Sequence, residues 1–417
     1  MSLNIVDMTG DGIWPEMSKE IRENLVDPYF DVKWHIHDIS VPTRDQTNDS
    51  ALQHAIADLK EHKAGVKGPT ITPTTDQTAE MGLSQQLRSP NGIIRSAVEG
   101  AVIMRTPLTA DNLPRNADNM YSVTTARQAV GGIYGAPNFE IPGNGTIKVI
   151  FEDEDGTEQV MASRPVDSGV AMITTESDEA IHNFARATLQ QGISLNKSVA
   201  FASKSTILPA YDGRFIDIFN KVFEAEYKDA YEEASLEFRP DDLIDAVVSK
   251  IPQGKFNNWI IAVKNYDGDV MSDQVAGESL SLGMMDSTLV SADGTLLADP
   301  PHGTAPDLEK FWHEEGKLVA NPTAHIFAYA EALRHKAELE GQSDVALQAT
   351  ALKQATLDTI SNGHMTGDLA HYIGAKSLTG QEFIQEVVKT FDATLKHDMD
   401  FDHDPDHDQT NNGMHLH

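Results

Sequence analysis

The sequence predicts an α/β fold with a mainly parallel sheet, and three patterns support this prediction. Strand and helix signals alternate from Leu3 to Glu61, a hairpin interrupts them between Thr146 and Ala162, and helical periodicity dominates from Ala324 onward. With 417 residues, the chain is long enough for two or three domains with a substantial core.

The first elements form a predicted βαβ unit. A strand that begins at Leu3 enters a Gly-rich turn, and a helix is predicted from Met17 to Leu25. The segment Phe30–Ile36 alternates like a strand, and Ala51–Glu61 has the spacing of an amphipathic helix. Such alternation is typical of a parallel sheet covered by helices.

A hairpin is predicted where this rhythm breaks. Thr146–Phe151 alternates at period two, Glu152–Gly156 forms a turn, and Thr157–Ala162 returns. The insert is therefore expected to form either a small separate lobe or an interaction element.

The C-terminal part is predicted to be helical. Asn321 and Pro322 provide a start signal for a helix through Arg334, and Thr379 to Glu382 match a capping box. The final residues are rich in Asp and His, which favours a solvated, disordered tail over a weak metal-chelating segment.

Composition excludes several classes of function. The chain has 64 acidic and 32 basic residues, a net charge of −32, which argues against nucleic-acid backbones and anionic membranes as partners. No apolar run approaches the roughly 20 residues of a membrane span, and no signal peptide is recognised. The absence of cysteine excludes disulfides and thiolate metal sites and fits a cytoplasmic protein.

The most informative motif follows the predicted strand Trp259–Val263. Asp269 and Asp273 are spaced i, i+4, so a helix that starts after this strand points both carboxylates the same way. Two such carboxylates repel unless a cation lies between them, and oxygen ligands suit Mg²⁺ or Mn²⁺. The alternative for this motif is a solvated acidic turn.

Arginines predict an anion pocket. Arg88 and Arg95 flank a Ser-Pro-Asn-Gly turn, and Arg105 and Arg127 follow. Arginine forks match carboxylates in bidentate geometry, so the set favours a small polycarboxylate as ligand. Each arginine taken alone is better explained as a surface ion pair.

Several ordered motifs together resemble the NADP-type homodimeric (eukaryote-like) isocitrate dehydrogenases, within the isocitrate/isopropylmalate dehydrogenase family. The resemblance spans Ile5 to Leu395, and its anchors are Gly65–Pro73, Ser89–Gly92, Tyr211–Phe215, Lys264–Asp269, Ser281–Met285 and His302–Thr304.

The resemblance implies an α/β homodimer with an isocitrate/isopropylmalate dehydrogenase-like fold. A large domain is expected from residues 1–99 and 280–396, and a small domain from residues 100–135 and 180–279. Residues 136–179 are expected to form a β clasp where two subunits interlock, and residues 397–417 the tail.

Site roles follow from the same resemblance. Substrate-binding positions are expected at Thr72, Ser89, Asn91, Arg95, Arg105 and Arg127. Tyr134 and Lys204 match the catalytic acid/base pair, and Asp245, Asp269 and Asp273 match the metal ligands. In the family, the lysine and the first aspartate enter the site from the partner subunit, so a complete site requires a dimer.

The cofactor loop departs from the NADP-type pattern. Cofactor-binding positions are expected at Thr70, Thr72, Asn91, His302, Gly303, Thr304, Ala305, Asp307 and Asn321. Asp307 and Leu308 replace the Arg-His pair that contacts the 2′-phosphate of NADP, and Gln77 and Gln253 replace two further basic residues. An aspartate repels a phosphate but accepts a hydrogen bond from the ribose 2′-hydroxyl of NAD.

NAD is therefore the predicted cofactor and NADP the alternative. In that alternative Asp307 only caps the following helix, and Lys310 contacts the 2′-phosphate. The expected reaction converts isocitrate and NAD into 2-oxoglutarate, CO₂ and NADH, with Mg²⁺ or Mn²⁺.

Two more departures lie near the substrate arginines. Gly135 follows the catalytic tyrosine where relatives have arginine, and Gln128 replaces a histidine. A homologous substrate such as homoisocitrate is the alternative that these changes leave open. The alternative outside enzymology is a non-catalytic, metal-binding scaffold, supported by the Asp/His-rich tail alone.

Overall fold

The computed structural model describes residues 2–98, 100–114, 123–278 and 282–401. The strands are β1 Leu3–Thr9, β2 Val32–Asp38, β3 Ala64–Lys67, β4 Val102–Pro107, β5 Thr124–Gln128, β6 Asn138–Ile141, β7 Gly145–Glu152, β8 Glu158–Val166, β9 Gly169–Met172, β10 Ser198–Ser203, β11 Phe238–Leu243, β12 Trp259–Val263, β13 Met285–Val290, β14 Leu296–Ala298, β15 Met365–Thr366 and β16 Ser377–Leu378.

The helices cover the sheet. They are α1 Trp14–Ile21, α2 Val41–Gln46, α3 Ser50–His62, α4 Thr75–Glu80, α5 Pro90–Ala97, α6 Asp178–Ser194, α7 Tyr211–Val222, α8 Lys228–Glu233, α9 Ile244–Lys250, α10 Asn265–Glu278, α11 Pro306–Glu315, α12 Thr323–Leu339, α13 Ser343–Ser361, α14 Gly367–Ile373 and α15 Gly380–Phe401.

Ten strands form one mixed sheet in the order β11-β10-β12-β5-β4-β13-β14-β3-β1-β2. Antiparallel pairing is confined to the centre, where β4 pairs with β5 and β13, and β13 pairs with β14. The other neighbours in this sheet are parallel. The predicted α/β class with a mainly parallel sheet is therefore confirmed.

The two ends of the sheet come from different parts of the chain. The chain termini contribute β1 to β3, β13 and β14, whereas the middle contributes β4, β5 and β10 to β12. This distribution follows the predicted division into a large and a small domain, whose exact boundaries stay a prediction.

The first helix differs from its prediction. It begins at Trp14, three residues before Met17, because Pro15 fits the first turn of a helix, where no backbone N–H is needed. It then passes into a π-helical turn at Arg22–Val26, so the regular helix ends at Ile21 rather than Leu25.

The predicted hairpin is confirmed as the antiparallel pair β7–β8, and it forms part of a larger insert. A second pair, β6–β9, lies at its base. The insert exposes apolar side chains: Phe151 is 57% exposed and Val170 is 80% exposed. Apolar side chains exposed in such number are typical of a surface that meets a partner.

The capping box at the last helix is confirmed by two reciprocal hydrogen bonds. The Thr379 backbone N–H donates to the Glu382 carboxylate at 2.8 Å, and the Glu382 N–H donates to the Thr379 hydroxyl at 3.2 Å. The helix continues to Phe401, so the first residues of the predicted tail, 397–401, are helical. The rest of that tail, residues 402–417, lies outside the described residues. None of the described helices is long and apolar enough to cross a membrane.

A buried charge cluster joins three elements of the large end of the sheet. Asp7 on β1 is fully buried and accepts hydrogen bonds from Arg22 and from the Tyr329 hydroxyl of α12, the latter at 2.8 Å. Burial raises the pKa of Asp7, and the neighbouring Arg22 opposes this shift. A buried carboxylate is tolerated only when such donors surround it.

We expect Tyr329→Phe to lower the free energy of unfolding by about 1.5–3 kcal/mol, because Asp7 loses a donor that it cannot replace with water. Equilibrium urea unfolding measures the change. Tyr372→Phe is the control, since Tyr372 is 40% exposed and its loss should change stability by less than ~0.5 kcal/mol. Equal effects of the two substitutions would contradict the role given to this cluster.

Candidate active site

The candidate site forms at one edge of the sheet. The strands β5, β12, β10 and β11 are neighbours and run parallel, so their carboxyl ends meet at the same edge. Arg127 lies near the end of β5, Lys204 follows β10, and Asp245 follows β11. Helix α10 begins at this edge directly after β12 and contains Asp269 and Asp273. This edge of a parallel sheet is the usual place for a ligand site.

Asp269 is the centre of the local contacts. It accepts hydrogen bonds from the Arg127 guanidinium and from the Tyr134 hydroxyl. The Arg127 guanidinium also lies 5.2 Å from the centre of the Tyr134 ring, a cation–π distance. The two carboxylates of α10 do face the same way, as predicted, because Asp273 pairs with Arg105 at 3.0 Å while Arg105 is 4.0 Å from Asp269.

Three of the predicted substrate arginines converge here. Arg95, Arg105 and Arg127 are close enough to repel one another electrostatically, and Asp269 offsets part of that repulsion. Burial lowers the pKa of Arg127 to about 10, with the Asp269 carboxylate opposing the shift. Such a concentration of positive charge, partly withdrawn from water, favours the binding of a multiply charged anion.

Tyr134 is suited to donate a proton. Burial of its hydroxyl raises its pKa, and the hydrogen bond to the Asp269 carboxylate raises it further. The phenol therefore stays protonated at neutral pH, although the residue as a whole is 54% exposed.

Lys204 and Asp245 do not join this group within one chain. They pair with each other at 2.7 Å, and this contact lowers the pKa of Asp245. Their strands, β10 and β11, lie two and three places from β5, which is roughly 10 and 14 Å between strands at a spacing of about 4.8 Å per strand. Accordingly, no three acidic or histidine side chains of the described part of the chain converge as a metal site.

Asp212 fixes the position of Lys204. Its buried carboxylate accepts a hydrogen bond from the Lys204 backbone N–H at 2.8 Å and pairs with the Lys264 ammonium at 2.8 Å. The ends of β10 and β12 are thereby tied together, and the Lys204 side chain, 38% exposed, points away from the core.

The Ser-Pro-Asn-Gly turn begins helix α5. Ser89 is the residue before its first turn, and Asn91 and Arg95 are one turn apart on the same face. Asn91 and Arg95 also line a small cavity together with Lys67 and Asp299. The Thr70–Thr72 loop lies nearby in the chain and is held by Asp11, whose carboxylate accepts from the Val41 and Ile71 N–H groups at 2.8 Å each.

The predicted cofactor loop borders a cavity of about 650 Å³. Its lining residues include Trp14, His302, Gly303, Ala305, Leu308, Phe311, Asn321, Asp368, Leu378 and Glu382. Apolar and aromatic groups with a few polar ones are typical of a site for a planar ring system. Among the described residues, the side chains that line this cavity include carboxylates but no lysine or arginine.

The structure shows the local contacts of the residues on which the cofactor prediction depends. The N-cap of α11 is Ala305, and Asp307 makes no cap hydrogen bond, so the alternative of Asp307 as a helix cap is wrong. Gln77 instead completes a capping box with Thr74 on α4. The Gln253 amide donates to the Ser249 carbonyl at 2.8 Å. Lys310 is exposed, with its ammonium 5.1 Å from the Phe311 ring centre.

A stack of three rings supports the cofactor loop. The Trp14 indole N–H donates to the Thr304 carbonyl at 3.0 Å, and its ring lies 4.4 Å from His302 and 4.5 Å from His325. His325 is completely buried, and neither of its ring nitrogens has a hydrogen-bond partner. Burial lowers the pKa of both histidines, that of His325 well below its usual value.

Sequence reasoning missed the residues that position the site. Four residues contact the predicted site residues, although the sequence analysis gave them no role in the reaction. They are Asp212, Asn265, Ser272 and His325. Asp212 and Asn265 lie within the anchor motifs Tyr211–Phe215 and Lys264–Asp269, and this position was the available signal for both. The Ser272 hydroxyl oxygen accepts a hydrogen bond from Arg105 at 2.8 Å, and Ser272 has no such signal.

The chain belongs to the isocitrate/isopropylmalate dehydrogenase family, whose model matches residues 1–387. A protein from Sphingobium yanoikuyae named isocitrate dehydrogenase (NADP) is 36% identical over 398 residues, which cover 94% of this chain and 97% of that protein. Proteins from Mycobacterium bovis and Mycobacterium tuberculosis named isocitrate dehydrogenase (NADP) 1 are 35% identical over the same proportions.

We expect His325→Phe to reduce the loss of stability at acid pH. The folded-state pKa of His325 lies well below the 6.5 of an unperturbed histidine, so the unfolded chain binds more protons below pH 6.5. His325 therefore contributes stability above pH 6.5 that is lost as the pH falls. Phenylalanine keeps the stack on Trp14 and removes that proton uptake.

Thermal unfolding midpoints between pH 8 and pH 5 measure this effect. The exposed His313 provides the control His313→Phe, which should leave the acid slope as in the parent protein. An unchanged slope in His325→Phe would rule out His325 as a source of acid sensitivity.

Proposed function

We propose that this chain is an isocitrate dehydrogenase that oxidises and decarboxylates isocitrate to 2-oxoglutarate and CO₂, with NAD as the hydride acceptor. The observation that supports this function most directly is the convergence of Arg95, Arg105 and Arg127 on Asp269 and the Tyr134 hydroxyl. The names of the similar proteins point to the same substrate.

Each group of the site has a role in that reaction. The arginines bind the substrate carboxylates, and Ser89 and Asn91 at the start of α5 are placed to contact a further one. Lys204 of the partner subunit accepts the hydroxyl proton as hydride leaves carbon 2 for the nicotinamide. Loss of CO₂ then gives an enol, and Tyr134 delivers a proton to its carbon.

The carboxylates fit a hard divalent cation. Asp269 and Asp273 offer oxygen donors on one turn of α10, and the Asp245 carboxylate of a second subunit would complete the set. Mg²⁺ or Mn²⁺ held by these carboxylates would stabilise the negative charge that develops on the substrate oxygen.

The cofactor proposal depends on local charge. The relatives are named for NADP, which supports the alternative cofactor. In this chain, however, the first turn of α11 contains Asp307 and Glu309, and the cavity beside it is lined by Asp368 and Glu382. Four carboxylates repel a 2′-phosphate but accept hydrogen bonds from ribose hydroxyls.

We expect kcat/KM with NAD to exceed that with NADP in initial-rate assays with isocitrate and Mn²⁺. Asp307→Arg combined with Leu308→His should shift the ratio toward NADP by at least about tenfold, which corresponds to about 1.4 kcal/mol. The physical reason is that the substitution removes a charge that repels the 2′-phosphate and adds one that attracts it. Glu314→Arg, an exposed position later on α11, is the control. A parent enzyme that prefers NADP would overturn the cofactor proposal and leave the reaction intact.

A homodimer with shared sites is part of the proposal. It is supported by the apolar surface of the β6–β9 insert and by the pairing of Lys204 with Asp245, while Asp269 is paired with Arg127 and Tyr134 within one chain. In such a dimer, Lys204 and Asp245 of each subunit meet Asp269 and Asp273 of the other.

Mixing two inactive variants tests this arrangement. Asp269→Asn and Lys204→Met should each abolish turnover as homodimers. After joint refolding, mixed dimers contain one intact site, so roughly one quarter of the parental activity should return, since half of the dimers are mixed and each has one of two sites. If each site formed within a single chain, no mixture would recover activity.

A further inference from the structure

The loop that contains Tyr134 has an unusual backbone. It connects β5 to the insert and includes Gly131 and Gly132, whose φ angles are +83° and +61°. These values are readily adopted by glycine alone. Few backbone hydrogen bonds tie the loop, so side chains must set its conformation: Ala129 N–H donates to Ala101 O at 3.3 Å, and Ala136 N–H donates to Ile133 O at 3.3 Å.

Two side chains hydrogen-bond to the backbone of this glycine pair. A Glu176 carboxylate oxygen accepts a hydrogen bond from the Gly132 N–H at 3.1 Å. The Asn265 amide donates to the Gly131 carbonyl at 3.3 Å and accepts from Arg127 Nε at 2.9 Å. These two hydrogen bonds link the loop to the substrate arginine Arg127, and the Asn265 side chain that makes them is 2% exposed.

Glu176 lies directly against the loop. A Cβ atom on residue 131 would clash with both oxygens of the Glu176 carboxylate, so that carboxylate occupies the space the glycine leaves open. Burial raises the pKa of Glu176, while Gln128 and the Gly132 N–H oppose the shift. The Gln128 side chain is 2% exposed and lies near Glu176, although neither of its amide atoms reaches hydrogen-bond geometry.

We propose that Glu176 is a positioning residue for Tyr134: its carboxylate fixes the Gly131–Gly132 turn so that the tyrosine hydroxyl reaches Asp269. Tyr134 is 54% exposed, so packing around its ring constrains it little, and its backbone decides where the hydroxyl lies. The Glu176 carboxylate contacts the backbone of the glycine pair, so it acts on Tyr134 through the loop. This inference rests on the proposed function only for its kinetic test.

The proposal predicts a particular pattern among three variants. Glu176→Ala removes the acceptor, and we expect kcat to fall by about 10- to 100-fold, because misplacing a catalytic group by about 1 Å costs up to that much. KM for isocitrate should stay within about threefold, since the arginines are untouched. Glu176→Gln keeps an oxygen acceptor for the Gly132 N–H, so it should retain kcat within about threefold of the parent.

Asn265→Ala gives a contrasting result, because Asn265 also holds Arg127: both kcat and KM should change. Glu179→Ala removes an exposed carboxylate in the first turn of α6 and is the control for the change of charge. It should leave both constants as in the parent.

The protonation step is measured separately from hydride transfer. In D₂O, the enzyme with Mn²⁺ should exchange hydrogen at carbon 3 of 2-oxoglutarate, and Glu176→Ala should slow this exchange in parallel with kcat. A crystal structure of Glu176→Ala should show the Tyr134 hydroxyl displaced from Asp269. Unchanged exchange and kcat in Glu176→Ala would overturn the proposal, as would a loss in Glu176→Gln equal to that in Glu176→Ala.

The two proposals fail in different ways. If the parent protein does not turn over isocitrate, the proposed function fails. The position of Tyr134 in crystals of the parent and of Glu176→Ala still tests the positioning role: displacement supports it, and an unchanged hydroxyl position refutes it.

Discussion

The crowding of positive charge around Asp269 is the constraint on which the rest of the site depends. Arg95, Arg105 and Arg127 approach one another at the edge of the sheet, and burial makes their mutual repulsion costly. The carboxylates of α10 offset part of that cost in one chain. A substrate with several carboxylates would offset more, so the same charges that strain the site favour the proposed ligand.

Strand order separates two parts of the candidate site in a single chain. The strands β12, β10 and β11 follow one another outward from β5, and Lys204 after β10 pairs with Asp245 after β11 rather than with Asp269. Lys204 and Asp245 are the two residues that the family resemblance assigns to the partner. The exposed apolar side chains of the β6–β9 insert provide a surface against which such a partner would pack.

Tyr134 and the loop from His302 to Asp307 depend on different kinds of support. Packed rings of Trp14, His302 and His325 support this loop, and the Trp14 indole N–H donates a hydrogen bond to the Thr304 carbonyl. The Tyr134 loop is held by polar side chains on a backbone that only glycine adopts easily. Hydrogen bonds to the loop backbone from Glu176 and Asn265 permit the half-exposed Tyr134 side chain to keep a defined position.

Sequence patterns alone predicted the fold class and the family correctly, and they supplied the residues of the candidate site. Alternating strands and helices, the i, i+4 aspartates and the motifs after β5, β10 and β12 are local patterns that need no contact information. Tertiary structure alone decided that Glu176 lies against Gly131, that Asp212 ties Lys204 to Lys264, and that Asp307 does not cap its helix. Most of these contacts join residues that are far apart in the chain. Local periodicity in a sequence predicts helices and strands, but it does not indicate which distant side chain fills the space beside a glycine.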